Sequence, residues 1–366
     1  MGLSNWQYIQ FFWVDWDSKP WQATHLGEGN SNLKSSSVTL ASADGISYRK
    51  TNMTQTQTIN SYRIDRRAGK QGSRSGVTVL APDFEKYITE QNKSNLLKCK
   101  RSIKMSTFNV RTMQPISQIS ELIATAEKNQ IDVISVQEHR FYHDDLVLKY
   151  HEFEKGWTFI SASAWKNTIN STIGGIGMLL SSVATKSLNS IEKITSRILV
   201  ATFNGNPEPT IITCSSPTNI AEEQEIIAFY DDLSSLVRSI PKHNVLIITG
   251  DLNAQVGHSQ QHKFTFHDTS NRNGEYLEHF LIENGLLSIN TRFQKRRGKL
   301  WTFKYPNGQK GQLDYMMINK KWINSIQNCE AYHCYEGIST DHRMVSLRIQ
   351  LSLRANKKKS TARPIY

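Results

Sequence analysis

Six short polar stretches constrain this chain more than anything else in it: Phe108-Asn109-Val110, Gln137-Glu138, Gly250-Asp251-Leu252-Asn253, Trp301-Thr302, Gln312-Leu313-Asp314-Tyr315 and Ser339-Thr340-Asp341-His342. Each sits at or just after an apolar run, where a buried strand delivers a polar side chain to the rim of a sheet. Any one of them could arise by chance. Taken in order, they imply an α/β scaffold that collects the carboxylates Glu138, Asp251, Asp314 and Asp341, the amides Asn109 and Asn253, and the imidazole of His342 at strand ends.

The intervening sequence supports that scaffold. Lys104 to Phe108 reads as a strand, Ile116 to Asn129 as a helix with Ile119, Leu122, Ile123 and Ala126 on one face, and Val133 to Val136 as a buried strand. Further strands are expected over 174–180, 197–203, 210–213, 245–249, 301–303, 313–318 and 343–351, and helices over 222–240 and 274–284. Strands outnumber helices, and many neighbours are too close in sequence for parallel crossovers. The predicted fold is therefore a two-sheet, four-layer α/β sandwich with helices outside. Phe229-Tyr230-Asp231-Asp232 looks like a polymerase aspartate box, but Ile226, Tyr230, Leu233, Val237 and Ile240 recur at helical spacing, so it reads as a helix face.

Apolar residues make up only 38% of the 366, which leaves part of the chain outside a compact core. Residues 1–100 lack sustained apolar periodicity and carry Arg63, Arg66, Arg67, Lys70 and Arg74 among Ser, Thr, Gln, Asn and Gly. They read as a basic, largely disordered arm before a domain at 101–352, with 353–366 as a basic tail. The net charge of +12 favours a polyanionic partner. Without a long apolar run, a basic lead-in before Trp6 to Trp16, or Ser or Thr at position 6 after Gly2, membrane attachment is not expected and an intracellular, nuclear protein is. Cys99, Cys214, Cys329 and Cys334 form no CxxC pair, which argues against thiol chemistry or zinc.

The residue types point to phosphate chemistry. A hard divalent cation takes oxygen ligands, usually one or two carboxylates, and Glu138 is the leading candidate, with Asn109 ending the neighbouring strand in the same sense. Asp251 and Asn253, two apart on an extended segment, face one way. There a carboxylate can orient or deprotonate water and an amide can donate to phosphate. His342 needs its second ring nitrogen held by an acceptor, and Asp314 is available for that. Lys295, Arg296 and Arg297, within a basic loop that also holds Arg292 and Lys299, are expected to contact phosphate. Trp301 and Thr302 are counted with the same substrate-facing edge, Trp301 through core packing rather than as a stacking platform.

At Met105 to Met113, Val136 to Arg140, Gly250 to Val256, Gln312 to Ile318 and Ser339 to Val345 the chain resembles the endonuclease/exonuclease/phosphatase superfamily, which includes deoxyribonuclease I and the apurinic endonucleases. Within it, the endonuclease domains of RTE-type non-long-terminal-repeat retrotransposons look most similar. The resemblance implies a deoxyribonuclease I-like fold over about 101–352. It also implies a monomeric, metal-dependent nuclease that nicks duplex DNA with Mg2+, or Mn2+ in its place. Glu138 would lie on the cation with Asn109 nearby and Asp341 in its network; Asp251 would activate water, Asn253 bind phosphate and Asp314 orient His342. Two departures stand out. Ser215 occupies a block where many relatives place a phosphate-contacting tyrosine, and Arg111 stands where the apurinic enzymes have an acid. The alternatives are a catalytically weakened or inactive nucleic-acid- or partner-binding protein on the same fold, and an RNA phosphodiesterase such as a deadenylase.

Overall fold

The computed structural model describes residues 79–80, 88, 94–99, 101–114, 117–143, 147–167, 169–332 and 340–351. Most of the expected basic arm and all of the basic tail lie outside the described residues. In chain order the strands are β1 (Val79–Leu80), β2 (Ser102–Asn109), β3 (Val133–Gln137), β4 (Val147–Glu152), β5 (Thr158–Ala162), β6 (Trp165–Lys166), β7 (Thr172–Ile173), β8 (Ile176–Leu180), β9 (Leu188–Thr195), β10 (Ile198–Phe203), β11 (Pro209–Ser215), β12 (Val245–Asp251), β13 (Leu286–Ser288), β14 (Phe303–Lys304), β15 (Lys310–Gly311), β16 (Asp314–Asn319), β17 (Ile326–Tyr332) and β18 (Met344–Gln350). The α-helices are α1 (Ser117–Asn129), α2 (Ser182–Ser187), α3 (Glu223–Ser239) and α4 (Arg272–Glu283).

Two mixed sheets carry the fold. One runs β1-β4-β5-β8-β3-β2-β18-β17 and the other β13-β16-β12-β11-β10-β9. Ile103, Met105, Val133 and Met178 of the first pack against Leu199, Ile211, Ile247 and Met316 of the second, which makes the central core. Phe108, Ile134 and Val136 turn to the opposite face, where Ile119, Leu122 and Ala126 of α1 cover them. On the far side Ile212, Leu246 and Ile248 meet Ile226, Tyr230 and Leu233 of α3 and Leu277 and Phe280 of α4. The order is helix, sheet, sheet, helices, a four-layer α/β sandwich as expected. Phe229 and Tyr230 are buried within α3, so the aspartate-box reading is excluded by structure as well.

Strand direction gathers the polar stretches. β2 and β3 are parallel with Asn109 opposite Gln137, and β11 and β12 are parallel with Ser215 opposite Asp251. β16 runs antiparallel to β12 and starts at Asp314, opposite Asp251. β18 runs antiparallel to β2 and starts just after His342. Four strands therefore end, and two begin, at one edge of the sandwich.

Two expectations need correction. The folded unit reaches upstream of residue 101: β1 pairs with β4, and Leu96 and Leu97 lie in the central core, with the Leu96 N–H bonded to the Asn204 carbonyl at 3.0 Å. The expected strand over 301–303 is confined to Phe303–Lys304, because Trp301 and Thr302 are engaged in packing and hydrogen bonding beside it.

Candidate active site

Asp251 ends β12 after a close approach that only glycine permits: a Cβ on Gly250 would stand 1.9 Å from the Cys214 carbonyl oxygen. Its Oδ1 accepts the Asn253 N–H at 3.0 Å, and its Oδ2 accepts the Asn109 side-chain amide at 3.0 Å. The same Asn109 nitrogen donates to Glu138 Oε1 at 3.0 Å, while its oxygen accepts the Arg111 N–H at 2.9 Å. Asn109 thus turns its NH2 towards the carboxylates and bridges them, next to the expected cation ligand Glu138. Asn253 stands in the left-handed region at φ 47° and donates its amide to the Ser216 carbonyl at 3.1 Å.

Opposite Asp251, His342 Nδ1 donates to Asp314 Oδ2 at 3.0 Å, and Nε2 lies 3.8 Å from Asp251 Oδ2. Asp314 is fully buried and positioned through its backbone: the Thr302 hydroxyl accepts the N–H groups of Leu313 and Asp314 at 2.9 and 3.1 Å. Thr302 is itself buried and its oxygen is committed, so it positions Asp314 and does not face substrate. Phe303 forms a bridge with His342 and packs on its ring at 4.7 Å. The Thr340 hydroxyl donates to the Asn109 carbonyl at 2.9 Å, which brings the segment holding Asp341 and His342 to the end of β2.

Electrostatics follow from that burial. Desolvation, then the charge of Asp314, raise the Asp251 carboxyl above its usual range, with His342 pulling it back. Burial opposes a charge on His342, yet the Asp314 carboxylate and its hydrogen bond, with Asp251 and Asp341 behind them, carry the imidazole up to about 10. The charged imidazolium is thus the favoured form of His342 in the metal-free chain. Asp251, Asp314 and His342 offer ligand atoms within 4.8 Å of one another, but a charged ring with Nδ1 engaged cannot ligate a cation. The donor chemistry fits a hard divalent cation at Glu138 instead. That carboxylate is half-buried and oxygen-only, and its Oε2 lies 3.5 Å from the Arg140 guanidinium.

The expected substrate residues are distributed differently. Ser215 is beside Asp251 in register, at the site. Trp301 is buried between Arg343, 3.3 Å from its ring centroid, and Lys310 at 4.8 Å. Lys295 bonds Asn328 at 2.6 Å and pairs with Glu330 at 3.2 Å, and Lys299 pairs with the same carboxylate. Arg296 precedes a 3-10 turn at Arg297–Lys299. Arg297 stacks on Phe266 at 4.6 Å and lines an open cleft of about 600 Å³ with Gln255, Tyr305, Gln309 and Lys310. Among the described cysteines, Cys99, Cys214 and Cys329 are free, and burial pushes the thiols of Cys214 and Cys329 well up.

Sequence reasoning gave no role to His139, which follows Glu138 and which the structure seats against Phe141, Phe159 and Ile176. Its ring is completely buried and neutral, burial pushing it down to about 4. The only signal was its position, directly after the apolar strand and the acid.

Residues 106–342 match the Endonuclease/Exonuclease/phosphatase family. Craniofacial development protein 2 of Bos taurus is 27% identical over 284 residues, covering 75% of this chain, while this chain spans 45% of that relative's length. Among solved structures, AP endonuclease LMAP from Leishmania major superposes with a TM-score of 0.54 at 12% identity, over 74% of this chain and 99% of that one. An AP endonuclease from Archaeoglobus fulgidus gives 0.51 at 14% identity, over 68% and 100%. At such identities the structures establish the fold. By the match across 106–342, this chain belongs to the Endonuclease/Exonuclease/phosphatase family.

Proposed function

We propose that this chain is a metal-dependent endonuclease of retroelement origin that nicks duplex DNA, acting as a monomer in the nucleus. The carrying observation is His342, held by Asp314 at 3.0 Å with its Nε2 3.8 Å from the buried Asp251. Glu138, with Asp341, would hold Mg2+ or Mn2+, which supplies charge neutralisation at the phosphoryl oxygens. Asp251 takes the proton of the attacking water: its raised pKa suits a base working near neutrality. The Asn253 N–H holds the Asp251 carboxylate in place. Asn109 keeps Asp251 and Glu138 at a fixed separation, which preorganises the pair before substrate arrives. His342 donates Nε2–H to a phosphate oxygen and stabilises charge there, while Asp314 fixes its tautomer and charge. The net charge of +12 and the cations Arg297 and Lys310 lining the open cleft support a nucleic-acid substrate.

Supercoiled-plasmid nicking by the purified chain with Mg2+, and with EDTA, tests the reading: open circles are expected only with metal, and full activity in EDTA overturns it. Ser215, beside Asp251 in place of a longer phosphate-contacting residue, favours a second reading, a binding protein without turnover. Salt-dependent DNA binding with no nicking in either metal would select it.

A further inference from the structure

We propose that His139 is a positioning residue that holds the metal-binding Glu138, and that Gly175 is shaped to admit it; this rests on the assignment of Glu138 to the cation. Glu138 and Arg140, on either side of His139, both lie in the left-handed region, at φ 57° and 60°. L side chains rarely adopt that conformation without outside support. The His139 ring supplies the support. Nδ1 accepts the Phe141 N–H at 2.9 Å, and Nε2 lies 3.2 Å from the Ile176 carbonyl at the start of β8. Only the neutral Nε2–H tautomer satisfies both partners at once. The backbone is fixed on both sides as well, by Met113 N–H to the His139 carbonyl at 3.2 Å and by Arg140 N–H to the Gly174 carbonyl at 3.0 Å.

The ring lies where a side chain on Gly175 would be. A Cβ there would stand 2.5 Å from His139 Cε1, and Gly175 has φ 88°. Phe141 and Phe159 close the pocket at 5.3 and 5.8 Å. His139 touches neither substrate nor cation. It acts by setting where the Glu138 carboxylate stands, which is how outer-shell groups tune a metal site.

The test is Mn2+ binding by the full chain, followed by electron paramagnetic resonance, for wild type, His139→Leu, Gly175→Ala and His139→Gln. His139→Leu and Gly175→Ala are expected to raise the Mn2+ Kd about tenfold or more, the usual effect of losing an outer-shell group. Excess Mg2+ should restore most of the single-turnover nicking rate, so the loss falls on metal half-saturation rather than on the maximal rate. His139→Gln, whose amide can both donate and accept, should recover most of the affinity. Unchanged Mn2+ affinity in variants that merely melt earlier makes His139 a packing residue and overturns the proposal. Nitrogen NMR of the wild type keeps it falsifiable if the variants do not fold: an Nδ1–H tautomer could not accept the Phe141 N–H and would overturn it outright. A wild type that binds Mn2+ but nicks nothing overturns the nuclease reading and leaves this comparison intact; a wild type that binds no Mn2+ overturns the assignment of Glu138 and this proposal together.

Discussion

Asp314 and His342 form a hydrogen-bonded pair in the site, and their behaviour on mutation follows from that. The carboxylate acts only through the ring it holds at 3.0 Å, so Asp314→Ala and His342→Ala each remove the same phosphate donor. The double variant is expected to nick no more than a few fold more slowly than either single one. Single-turnover rates check this, and multiplicative losses would show that Asp314 does not work through His342. Proton linkage gives a second consequence. The folded pKa of His342 is raised, from an ordinary 6.5 to about 10, so its contribution to stability is complete below 6.5 and is lost as pH rises towards 10. Asp251, also raised, changes stability in the same direction. Metal-free wild type should therefore lose melting temperature between pH 6.5 and 10 more steeply than Asp314→Asn at constant ionic strength; equal slopes would contradict the charged pair.

At the scale of elements, what was legible in the sequence was the strand end. β2, β3, β12 and β16 are buried over nearly their whole length, so an apolar run that leads into Asn109, Glu138 or Asp251, or that leads out of Asp314, marks both the strand and its rim. β1, β9 and β17 are edge strands, and the last two alternate between buried and partly exposed residues, too weak a pattern to stand out. β5 is fully buried but spelled with Thr158, Ser161 and Ala162, which read as loop. The bridging role of Asn109, the tether from Thr302 to Asp314 and the seat of His139 depend on contacts between distant segments, which no local pattern records. The basic loop shows the same limit. Its lysines look like phosphate contacts in sequence, yet Glu330 on β17 takes both Lys295 and Lys299. Lys295→Ala with Lys299→Ala is expected to leave the salt dependence of DNA binding nearly unchanged. Lys304→Ala with Lys310→Ala, in the hairpin beside His342, should flatten it by up to about 0.9 log unit per lost contact. A flattened slope in the first pair would return the loop to the binding surface.

For the molecule as a whole, burial places the start of the folded unit earlier than composition does. Leu96 and Leu97, at 0% and 2% exposure, are one adjacent pair in a polar stretch, so no periodicity announces them. A chain beginning at residue 101 loses both, and each buried leucine is worth about 2–5 kcal/mol by the usual truncation scale. That chain is expected to unfold well below one beginning at residue 77, which keeps β1 and both leucines; coincident denaturant midpoints would contradict the packing. The central claim is that one rim of the sandwich separates binding, which rests on basic side chains, from chemistry, which rests on Glu138 and the acids around it. Glu138→Gln tests it most directly, with duplex binding by anisotropy and single-turnover nicking in Mg2+ read on the same substrate. Binding is expected within about threefold of wild type, and nicking reduced by at least the ~10²–10³ that loss of one transition-state contact costs. A Glu138→Gln chain that binds and nicks at the wild-type rate would contradict it.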